Sequence, residues 1–138
     1  MGLYLCIFDE HEEEIEGVEV GQYADFGHFR DCVTSLLEEG SVGSRFPNLL
    51  LHSDSDGIWT PQESYELSLE LDEIIRSFKN FPAIDFASDW QKQIASMHGH
   101  IPKSAYESFI DVDGELLLDR LKELVTISVK RSLPILFQ

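Results

Sequence analysis

Seven uncharged, mostly apolar residues, Gly2-Leu3-Tyr4-Leu5-Cys6-Ile7-Phe8, follow Met1. The run favours β-structure and shows no polar alternation, which predicts a strand buried on both faces. It lacks a basic leader and meets acids at Asp9, so it reads as a folded strand and not as a signal peptide. Residues 9–16 then read as a surface loop. Val18 and Val20 flank Glu19 in a second strand over 17–22, Leu49-Leu50-Leu51 reads as a buried strand, and Ile135-Leu136-Phe137 as a short closing one. Helical periodicity fills the intervals. Phe26, Phe29, Val33, Leu36 and Leu37 form one stripe that begins near Asp25 and stops at Gly40. Pro61 opens a helix carrying Tyr65, Leu67, Leu69, Leu71, Ile74, Ile75 and Phe78, which ends near Asn80. A short helix spans 88–97, capped by Ser88 or Asp89, and a longer one spans 115–131, with Pro134 beyond it. The pattern predicts one α+β domain over residues 1–138, a small mixed sheet packed against three or four helices. With 138 residues, 43% of them apolar, the chain is long enough to build one core.

The net charge is −16, and it is unevenly placed. Residues 1–75 carry 18 Asp and Glu against only Arg30 and Arg45, whereas residues 76–138 carry eight of each sign. Such a field repels nucleic acid and anionic membranes and favours docking to a basic protein. No apolar stretch approaches the roughly 18 residues of a membrane span. Cys6 and Cys32 are too few for a disulfide framework, and reduced thiols in apolar surroundings fit a soluble cytoplasmic protein.

One segment resembles a metal loop. Counted from His52 to Glu63, it places Asp54 and Asp56 at positions three and five, Gly57 at six and Glu63 at twelve. His52 at position one and the strand expected before it speak against calcium. A second turn, Asp111-Val112-Asp113-Gly114, also precedes a helix. Four carboxylates meeting on one cation would make a metal-dependent hydrolase or metal-binding protein, but two helix-starting turns account for the same residues. His98-Gly99-His100 lacks a third ligand. No nucleophile elbow, phosphate loop or dinucleotide fingerprint occurs, so no catalytic residue, metal ligand or cofactor is assigned. Trp59, Trp90 and Tyr65 are candidate interface anchors that serve equally well as core. The expected partner-binding residues are Glu12, Glu13, Glu14, Glu16 and Glu19 as an acidic rim, with Asp54, Asp56 and Trp59 as a second patch. A housekeeping interaction module would fit the same features.

The segments Met1–Phe8, Glu16–Gly21, Asp25-Phe26, Gly43–Pro47, His52–Trp59, Glu107–Glu115 and Pro134–Gln138, taken in order, resemble the immunity protein 70 family of bacterial polymorphic toxin systems. The likeness spans nearly the whole chain. Family members often carry an acid after the loop glycine, where this chain has Ile58. The resemblance implies a non-enzymatic protein that neutralises a cognate toxin. Such toxins are often nucleases with basic active sites, which an acidic inhibitor complements.

Overall fold

A computed structural model describes residues 2–138. Its elements in order are strands β1 (Gly2–Phe8) and β2 (Glu14–Gln22), helices α1 (Tyr23–Leu37) and α2 (Pro47–Leu50), strand β3 (Ile58–Trp59), helices α3 (Pro61–Phe78), α4 (Asp89–Met97) and α5 (Leu117–Arg131), and strand β4 (Ile135–Phe137). A 3-10 turn spans Ala105–Glu107. The strands form one antiparallel sheet in the order β2-β1-β4-β3. The result is the α+β domain anticipated above, with the last strand of the chain placed beside the first.

Local chemistry explains most boundaries. Thr60 and Glu63 cap α3 reciprocally, Glu63 N–H donating to Thr60 Oγ1 at 3.1 Å and Thr60 N–H to Glu63 Oε1 at 3.0 Å. Pro61 supplies the first helical residue. Asp25 accepts the Gln22 N–H at 2.9 Å where β2 turns into α1. Ser132, in the left-handed region at φ 54°, ends α5 ahead of Pro134.

One core lies between the sheet and the helices. Leu3, Leu5, Ile7, Val18, Val20, Ile135 and Phe137 supply the sheet side. Phe26, Phe29 and Val33 of α1, Leu67, Leu71, Ile74 and Phe78 of α3, and Leu118, Leu121 and Leu124 of α5 pack onto them. Tyr65 and Leu69, expected on the buried stripe of α3, are exposed because the stripe follows Leu67, Leu71, Ile74 and Phe78.

The expected strand at Leu49-Leu50-Leu51 is instead the helical turn α2. Pro47 starts the turn, and the buried carboxylate of Glu70 holds it. Glu70 accepts the Asn48 N–H and the Leu49 N–H at 3.1 Å each and the Asn48 amide at 2.8 Å. Leu49 and Leu50 enter the core, while Leu51 remains 63% exposed. Burial raises the pKa of Glu70, and the hydrogen bonds from Asn48 and Leu49 oppose that rise. Glu38 does the same for the preceding loop, accepting the N–H groups of Gly43, Arg45 and Phe46 at 2.9 Å each. Two internal carboxylates thus order residues 38–50 where no regular ladder exists. Glu38→Ala leaves those donors without their acceptor and is expected to cost about 2–4 kcal/mol in urea unfolding. A loss below about 1 kcal/mol would show that water replaces the carboxylate freely.

Candidate functional site

β1 has two unlike faces. Leu3, Leu5 and Ile7 point into the core, and Tyr4, Cys6 and Phe8 point the other way. The strand register pairs Cys6 with Gly17 of β2 and Leu136 of β4, and Leu136 with Ile58 of β3. A single row, Gly17, Cys6, Leu136, Ile58, therefore crosses the sheet on the face away from the core. Among the helices, α1 and α5 pack on β1, from the Leu3-Leu5-Ile7 side. Ile58 is 40% exposed, and Tyr4, Phe8 and Leu136 are half-buried. The expectation that β1 is buried on both faces is thus corrected. Cys6 is buried between Gly17 and Leu136, while its face neighbours Tyr4 and Phe8 stay half-buried.

Tyr4 takes part in that burial. Its ring lies across Gly17, where a Cβ would collide with the phenol oxygen, and its hydroxyl donates to Glu14 Oε1 at 2.8 Å. Burial and then the Glu14 bond push the phenol pKa up to about 12. Burial likewise pushes the Cys6 thiol up to about 11, so it stays protonated and unreactive at neutral pH. Cys6 and Cys32 are both free thiols.

Acids flank this face. In the β1–β2 hairpin Asp9 Oδ1 accepts the His11 and Glu13 N–H groups at 2.8 and 2.9 Å, and Glu12 adopts φ 62°. The tight turn leaves Glu10, Glu12 and Glu13 exposed at the tip, beyond Phe8. Glu14 and Glu19 pair with Phe8 and Tyr4 and are exposed on the open face. Asp54 and Asp56 are exposed in the loop that enters β3. Gly57 O accepts the Phe137 N–H at 3.1 Å, which sets that loop at the corner of the sheet diagonal to the hairpin tip.

Two expected binding residues lie elsewhere. Glu16 pairs in regular register with the inward-pointing Ile7 and so faces α5; there it accepts from Arg120 at 3.3 Å. Trp59 is core, 1% exposed, with its indole N–H donating to Asn48 O at 2.9 Å and its ring edge-on to Phe137 at 4.7 Å. A polar loop flanks Trp59 in sequence, but alternation within β3 turns it inward and Ile58 outward. Trp90 is half-buried, donates to Asp25 Oδ2 at 2.9 Å, and lines a cleft of about 380 Å³ at the β2 edge with Gly21, Ile94 and Val112.

The two cations of the first half are spent mainly on backbone carbonyls and Glu73, although Asp54 lies close enough to Arg30 to act on its charge. Arg30 donates to Leu50 O and His52 O at 2.5 and 2.8 Å. Arg45 pairs with Glu73 and donates to Leu37 O at 2.7 Å. Both guanidinium groups serve the 38–52 segment.

The two Asp-x-Asp-Gly turns are far apart in the fold. Residues 54–57 lead into β3, whereas Val112 N–H donates to Glu19 O on β2, at the opposite edge of the sheet. Asp111 is 1% exposed, and its Oδ1 accepts the Asp113 and Glu115 N–H groups at 2.9 and 3.0 Å. Its Oδ2 makes no hydrogen bond and lies 3.5 Å from Arg120 Nε, and burial raises its pKa. Arg120 thereby sits among Asp111, Glu16 and Glu123, tying α5 to β2. His100 Nε2 faces Glu107 O at 2.8 Å. Among the described residues no group of three or more His, Cys, Asp or Glu side chains is placed to hold a metal ion. Nor, among them, is any helix long and apolar enough to cross a membrane.

The family model described as Immunity protein 70 matches residues 3–137. No curated protein and no solved structure matches. With the two acidic turns at opposite sheet edges, calorimetric titration with calcium, magnesium or manganese is expected to give no saturable heat. A saturable site would restore the metal-dependent reading.

Proposed function

Since the chain belongs to the immunity protein 70 family, we propose that this immunity protein binds a cognate toxin domain and blocks it through its acidic surface, with no chemistry of its own. The family match carries the role, and the charge distribution supports the mode. The exposed acids Glu12, Glu13, Glu14, Glu19, Asp54 and Asp56 lie in segments without a single Lys or Arg. A toxin that holds phosphate, as a nuclease does, presents the basic surface that such a field attracts.

Long-range attraction raises the rate of encounter more than the strength of the final complex. The acids of the hairpin tip and the 52–57 loop therefore steer, and close packing holds. Co-expression with the toxin encoded beside this gene is expected to rescue growth, and the purified pair to form a complex. Absence of both rescue and complex contradicts the role. Association should slow markedly as salt rises from roughly 0.05 to 0.5 M. A salt-independent on-rate removes the electrostatic part and leaves the rest standing.

A further inference from the structure

The open face of the sheet has the composition of a covered surface and no cover. Tyr4, Cys6, Phe8, Leu136 and Ile58 are contributed by three adjacent strands, and among the described residues the helices that pack on β1 lie on its other face. A continuous apolar run such as 2–8 is characteristic of strands covered on both faces. Contiguous apolar surface with a polar border marks interaction sites in soluble proteins. Here the border has one sign. Residues 2–22, 52–60 and 132–138, which build this face and its margins, contain nine acids and no Lys or Arg.

We infer that the open sheet face, with Tyr4, Phe8, Leu136 and Ile58 as its apolar floor and Glu14 and Glu19 at its margin, is the surface that docks the basic face of the toxin. This rests on the immunity reading above and assigns it a place. Charge selects the occupant. A second copy of this chain would bring two acidic margins together, and like charges oppose that pairing. A basic partner with an apolar centre covers the floor and pairs with the margin. The geometry suits such a role. Tyr4 is pinned between Gly17 and Glu14, and the strand backbone beneath it is hydrogen-bonded on both sides, so little freedom is lost on binding. The acidic hairpin tip lies beyond Phe8 at one end of the floor, where it helps to orient the partner.

Matched charge substitutions test the assignment. Ile58→Glu and Leu69→Glu add the same charge at comparably exposed positions, the first on the sheet face and the second on α3. Ile58→Glu is expected to weaken toxin binding at least about tenfold, the effect of burying an unpaired charge within an interface, with Leu69→Glu within about twofold of the parent. Ile58→Ala, which removes side chain without adding charge, should weaken binding less but measurably. Thermal melting of each variant establishes that it is folded. Binding of the face variants at parental affinity, or loss on Leu69→Glu alone, overturns the inference and leaves the immunity role intact. A parent protein that binds no toxin overturns both. Dimerisation of the parent in sedimentation, abolished by Ile58→Glu, would make the face a self-interface and also overturns it.

Discussion

Helices α1 and α5 cover Leu3, Leu5 and Ile7 on one side of β1, and on the other side Cys6 lies buried between its partners on β2 and β4. The placement of β4 makes this arrangement possible. By pairing with both β1 and β3, the last strand joins the first hairpin to the two-residue strand from mid-chain. It brings Leu136 between Cys6 and Ile58 on the open side and Ile135 and Phe137 into the core on the other. The apolar floor therefore exists only in the folded chain, assembled from segments more than a hundred residues apart.

Charge is divided between interior and exterior in a way that serves both stability and recognition. Glu38 and Glu70 spend their carboxylates on backbone N–H groups, and Arg30 on backbone carbonyls, within or beside residues 38–52. Arg120 gathers Glu16, Asp111 and Glu123 around α5. These groups are consumed in building the fold. Glu10, Glu12 and Glu13 at the hairpin tip, Glu19 on the open face and Asp56 in the 52–57 loop stay exposed to solvent, while Glu14 is tied to Tyr4 and Asp54 lies near Arg30. Solvent screens each of them singly, but their common sign sums to a directional field.

Much of this was legible in the sequence because it is written in short-range patterns. The 3.6-residue stripes of α1, α3 and α5, the start at Pro61 and the closing strand after Pro134 all follow from neighbours within a few residues. The failures share a cause at longer range. Leu49–Leu51 reads as a strand until Glu70, some twenty residues on, caps the turn that Pro47 starts. Glu16 reads as surface until its pairing with the inward-facing Ile7 turns it to Arg120, more than a hundred residues away. Trp59 sits among polar residues, yet a two-residue strand turns it inward. The apolar run 2–8 marks the strand, but the burial on both faces that it predicts is not met by the described helices, and sequence does not say whether another chain supplies the second cover.

Hydroxyl-radical footprinting of the protein alone and bound to its toxin tests that point most directly, since it reads side-chain exposure at both faces at once. The account predicts that Tyr4, Phe8, Ile58 and Leu136 lose reactivity in the complex, while Tyr65, Leu69, Met97 and Ile101, exposed or largely so on the helical side and its loops, keep theirs. Protection of the second group with the first unchanged would contradict it.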